Sequence, residues 1–133
     1  MGTLIDTSVL IAAERGQLDL SALLTTYADE SFGLSAITAT ELLHGVHRAK
    51  TAAQRSRREA FVEGLLAQIP ILPFGLVAAR IHARVWAQLT SQGVTIGAHD
   101  LLIAATALAI DWQIVTCDER SFPKIPGLSV IKC

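Results

Sequence analysis

Cysteine is scarce in this chain of 133 residues. The two present, Cys117 and Cys133, have no close metal-ligand spacing, so neither a zinc site nor a disulfide framework is indicated and both are expected to be plain thiols. Aromatic residues make up only 5% of the chain and charged residues 17%, and no sign of charge dominates. A formal net charge of -1 and a pI of about 6.4 argue against a protein that grips nucleic acid by bulk charge. Also missing is any apolar run approaching the ~20 residues that a bilayer-spanning helix needs. The longest, "LLIAATALAI" at 101–110, is closed by Asp100 and Asp111 and reads as a buried helix. No charged segment leads into an apolar, cleavable one, and Asp6 stands where a myristoylation signal wants Ser or Thr. The cytoplasm is the expected compartment.

What is abundant is apolar. Hydrophobic residues make up 51% of the chain and mean hydropathy is +0.45, which excludes disorder and leaves a surplus suited to an interface. The length fits one domain, 1–133, with one compact core. "GTLID" reads as a short buried strand, followed by a helix that ends at Gly16; "LSALLTTYADE" (20–30) reads as a second helix and "FGLSAI" (32–37) as a strand. Helices are expected over "TATELLHGVHRAK", 51–68, 75–93 and "IGAHDLLIAATALAI". The two prolines of "IPILPF" suit a short edge strand, and "QIVT" (113–116) and "LSVIK" complete the strands. Short apolar strands alternating with helices predict an α/β fold: a mostly parallel sheet of four or five strands with helices on both faces.

Four carboxylates stand singly in apolar surroundings. Asp6 closes the first strand, Glu41 and Asp100 fall in the expected first turns of helices, and Asp118 follows the strand "QIVT". Ligands of an open parallel sheet bind beyond the carboxyl ends of its strands, the edge to which all four map. Carboxylates sharing a pocket repel one another unless a cation intervenes, and oxygen ligands suit Mg2+ or Mn2+. Such a site implies phosphodiester hydrolysis. Thr7, Ser8 and Thr116 adjoin these acids as possible holders of water or phosphate.

Each residue also has a purely structural explanation. "TATE" (38–41) is a capping box in which Thr38 caps the helix and Glu41 reaches back; Asp100 complements a helix dipole, Asp118 starts a turn, and Thr7 or Ser8 caps a helix. His99 adjoins Asp100 but reads as incidental; His44, His47 and His82 show no ligand pattern, and Trp86 and Trp112 read as core or interface. Five of the eleven Lys and Arg residues, namely Arg48, Lys50, Arg55, Arg57 and Arg58, form a segment that is either an RNA or partner contact or a solvated helix face.

Taken together, "LIDTSVLI", "TATELLHGV", "IGAHDLLIAATAL" and "VTCDERSFPKIPGL" resemble the PIN-domain family, specifically its VapC-type toxin ribonucleases, over nearly the whole chain. The resemblance implies that Asp6, Glu41, Asp100 and Asp118 are the acidic constellation, with Asp6, Asp100 and Asp118 on the metal and Thr7, Ser8 and Thr116 in support. The family often carries an acid just before the Phe, where this chain has Ser121, so Glu119 is an alternative fourth acid. Mg2+ or Mn2+ dependence, an RNA substrate, a homodimer and a VapB-like antitoxin in a prokaryotic cell are implied likewise; 38–68 is the expected antitoxin groove. Two rivals remain open. One is a phosphotransfer or phosphatase domain with a strand-end Asp nucleophile, although Ser8 stands where a phosphatase of that kind wants a second Asp. The other is a non-catalytic acidic module that binds a basic partner.

Overall fold

The computed structural model describes residues 2–133. Its elements run β1 (Gly2–Ile5), α1 (Thr7–Glu14), α2 (Leu20–Thr26), β2 (Ser31–Ser35), α3 (Ala36–His47), α4 (Ala52–Gln68), β3 (Ile71–Leu72), α5 (Leu76–Ser91), α6 (Ala98–Ala109), β4 (Gln113–Thr116), a 3-10 turn (Phe122–Lys124) and β5 (Val130–Lys132). The five strands form one sheet in the order β3-β2-β1-β4-β5, with every neighbouring pair parallel. Pro70 and Pro73 flank β3 and confine it to a short edge strand.

Strand alternation sorts the core into two layers. Leu4 and Ile114 point to one face and pack with Val85 and Leu89 of α5, Ile103 and Ala107 of α6, and Phe122. Their neighbours Ile5 and Val115 point to the other and pack with Val9 and Leu10 of α1, Leu42 and Val46 of α3, and Val62 and Leu65 of α4. A period of two along each strand thus buries both faces, as a parallel sheet requires.

The sheet runs outward from β1 in one direction through β2 and in the other through β4, so the chain reverses its order of strand addition between β1 and β4. That reversal opens a crevice at the carboxyl ends of these strands. Residues 6 and 116 lie on its two sides.

Three local expectations are corrected. Helix α3 begins at Ala36, not Thr38, because Ser35 is its N-cap and accepts the Thr38 N–H at 2.9 Å; "TATE" is therefore not a capping box, and Glu41 lies in the second turn. Helix α2 ends at Thr26, since neither Asp29 nor Glu30 has apolar surface to bury. Cys117 and Cys133 are not free thiols but a disulfide. Parallel pairing of β4 with β5 sets their following residues side by side, with Cα atoms 5.1 Å apart and the Cys133 N–H on the Thr116 carbonyl. Separation along the chain does not reveal such proximity.

The buried Ser35 cap yields a stability test. Ser35→Ala should lower unfolding stability by about 1 kcal/mol, read as a reduced urea midpoint at unchanged slope.

Candidate active site

Asp6 occupies the N-cap position of α1 but its side chain caps nothing. It turns instead into the crevice, where it is only 4% exposed. Its Oδ2 accepts the Ser8 hydroxyl at 2.6 Å and the Thr116 hydroxyl at 2.8 Å, the latter reaching across from β4. Among the described residues no side chain donates to Oδ1. Burial raises the Asp6 pKa, the Ser8 and Thr116 hydroxyls oppose that, and the charge of Asp100 raises it further. Asp100, in the first turn of α6, is thus near enough for its charge to act on Asp6.

The hydroxyls expected to cap α1 bind side chains instead. Thr7 Oγ1 donates to Glu41 Oε1 at 2.7 Å, and Ser8 Oγ accepts the Cys117 N–H at 3.0 Å besides serving Asp6. Glu41 Oε2 lies 3.5 Å from His99 Nδ1. His99, read as incidental from the sequence, thus belongs to the pocket rim. Of the adjacent residues His99 and Asp100, it is His99 that reaches Glu41.

Asp118 is held by a residue the sequence reading passed over. Arg120 grips both its oxygens, and these bonds lower the Asp118 pKa to about 2. Glu119, the alternative acid, is exposed and pairs with Lys132 at 3.2 Å. The basic segment stands apart from the acids: Arg58 donates to the Gly45 carbonyl at 2.9 Å and lies 3.7 Å from Glu14, the last residue of α1. Helix α1 starts at the acids and ends a turn or more away, roughly 10 Å along its axis. Arg48, Lys50, Arg55 and Arg57 remain exposed on that side.

Among the described residues no three His, Cys, Asp or Glu side chains are gathered into a ready-made metal cluster. Asp6 and Asp100 are the residues that would hold a cation taking one or two carboxylates and keeping waters for a substrate phosphate, which is the habit of Mg2+. The buried Asp6 carboxylate, lacking any cationic side-chain partner, fits such an ion.

A stability consequence follows from Asp6. Its folded pKa exceeds the unfolded value of 3.8, so it binds its proton more tightly in the fold; that contribution is full below 3.8 and is lost as pH rises through the folded value. At neutral pH without divalent cations, Asp6→Asn should therefore melt a few degrees higher than the parent chain, and at pH 3 the two should converge.

Comparisons with known proteins establish the family. A model of the PIN domain matches residues 3–128. The protein named Ribonuclease VapC from Rickettsia bellii is 38% identical over 131 residues, 98% of this chain and 96% of that protein. Among solved structures, the toxin-antitoxin complex VapBC-5 from Mycobacterium tuberculosis matches with a TM-score of 0.77 at 32% identity, over 98% of this chain and 96% of the other. VapBC2 from Rickettsia felis, bound to a DNA fragment from its promoter, reaches 0.91 at 24% identity, over 100% and 99%, and so shares the fold. Matched almost from end to end by the domain model and by a VapC ribonuclease, the chain belongs to the PIN-domain family and, within it, to the VapC ribonucleases.

Proposed function

We propose that the chain is a Mg2+- or Mn2+-dependent endoribonuclease, the toxin of a toxin-antitoxin pair in the cytoplasm of a prokaryotic cell. The observation that carries this reading is the Asp6 carboxylate, buried where β1 and β4 part and under the charge of Asp100, with no cationic partner among the described residues. Asp6 and Asp100 would hold the cation, and Asp118 is the third acid that the family resemblance adds. Bound there, a divalent cation supplies a nucleophile at neutral pH and neutralises phosphoryl charge.

The chain's own groups do the rest. Ser8 and Thr116 fix the Asp6 carboxylate in orientation, so it pays no reorganisation when substrate arrives. Thr7 holds Glu41 by Oε1, and Oε2, at the pocket rim 3.5 Å from His99 Nδ1, would accept the proton of the attacking water. Water adds to phosphorus, the bond from phosphorus to the leaving oxygen breaks, and that oxygen gains a proton.

Partners follow from the surface. A cavity of about 400 Å³ between α1 and α4, lined by Ala13 and Glu14 together with Gln54, Arg57, Arg58 and Phe61 from the region 38–68, suits a VapB-like segment carrying both apolar and charged side chains. Trp86 of α5 is exposed beside Ala83 and Ala87, and this apolar helix face suits a two-fold homodimer. No described helix is long and apolar enough to cross a membrane.

Purified chain should cut RNA with Mg2+ or Mn2+ and lose that activity in EDTA. Asp6→Asn and Asp100→Asn should each lower the rate at least about 100-fold while circular dichroism stays native; full cleavage by both overturns the reading. Acyl-phosphate formation from a small phosphodonor would instead support the phosphotransfer alternative. Ala83→Glu combined with Trp86→Glu should halve the mass seen by light scattering.

A further inference from the structure

The charge pattern of the sequence directs attention to the cations of 48–58, but the arginine that the fold brings to the acids is Arg120. Its backbone N–H donates to Asp118 Oδ1 at 3.0 Å, Nε to Oδ1 at 2.9 Å and Oδ2 at 3.2 Å, and Nη2 to Oδ2 at 2.7 Å. The arginine side chain is nevertheless 88% exposed. The turn that carries the pair is tied to the pocket, because the Asp118 N–H donates at 2.9 Å to the same Thr116 hydroxyl that serves Asp6. Arg120 also feels the charge of Asp100.

We infer that in this chain Asp118 is a positioning residue that holds Arg120 at the rim of the acidic pocket as a clamp for a phosphate of the RNA substrate, and that it does not ligate the cation. This rests on the nuclease reading and goes beyond it, because it divides the four acids into two kinds. Asp118 already receives charge-assisted bonds on both oxygens, whereas Asp6 Oδ1 and the Asp100 carboxylate accept no side-chain hydrogen bond among the described residues. The groups open to a cation are therefore Asp6 and Asp100.

A polyanion approaching four carboxylates needs donors as well as a metal. A guanidinium offers five N–H groups in a planar fork, and the contacts to Asp118 use Nε and Nη2, leaving the Nη1 pair for a phosphate oxygen. Held by one face of the fork, Arg120 loses little rotamer freedom when it binds. A lysine at this position would keep the charge without the fork.

The test compares Arg120→Ala, Arg120→Lys and Asp118→Asn in the full chain. Binding of a fluorescent single-stranded RNA is read by anisotropy in EDTA over a salt series, and Mn2+ affinity by calorimetry. Arg120→Ala should weaken RNA binding about tenfold or more and flatten the salt dependence by about one phosphate contact. Arg120→Lys should restore only part of the affinity. Asp118→Asn should weaken RNA several-fold with Mn2+ affinity unchanged, and the Asp118→Asn, Arg120→Ala double variant should bind no worse than Arg120→Ala alone. In turnover the loss should fall on KM more than on kcat. Parental RNA affinity in Arg120→Ala, or loss of Mn2+ binding in Asp118→Asn, overturns this inference while leaving the nuclease intact. A parent chain that neither binds nor cuts RNA overturns the nuclease reading and this inference with it.

Discussion

Everything at the candidate active site depends on one arrangement: a carboxylate just after β1 that is almost fully buried and is held by hydroxyls from the first turn of α1 and the end of β4. Hydroxyl donors offset part of the cost of removing Asp6 from water but bring no positive charge. The remainder is a standing electrostatic deficit built into the core. A fold optimised for stability alone would replace this group by an apolar one; here the unfavourable charge is the feature that makes the crevice attract a cation.

Around that carboxylate the structure distributes tasks among neighbours that look alike in sequence. Thr7 and Ser8 are consecutive, yet one fixes Glu41 and the other fixes Asp6. Asp100 and Asp118 are both acids at the ends of apolar segments, yet the first acts on Asp6 by its charge and accepts no side-chain hydrogen bond among the described residues, and the second is closed by Arg120. The pocket thereby combines open acceptors at its floor with a donor fork at its rim, a combination suited to a phosphodiester neutralised by a metal.

Much of the architecture was legible. The alternation of short apolar strands with helices, the edge position of the proline-flanked "IL", and the buried helix after Asp100 all appear as read, because each depends on local hydrophobic period and on turn chemistry. Capping was not legible. Ser35 and Thr38 are equally good caps on paper, and the choice of Ser35 is made by where β2 must end to pair with β3. The disulfide was missed for a related reason, since strand neighbours in a parallel sheet are joined through space and not by chain order.

The sequence by itself determined the fold class and the set of acids, because hydrophobic period and an isolated charge in an apolar run are local properties that carry their own physical cost. It did not determine what each acid does. Only the tertiary structure decided that Asp6 takes hydroxyls from both sides of the β1–β4 crevice, that His99 stands beside Glu41, and that Arg120 instead of the basic segment meets the acids. Those roles depend on distances between residues remote in the chain, and such distances are set by how two helical layers close over one twisted sheet.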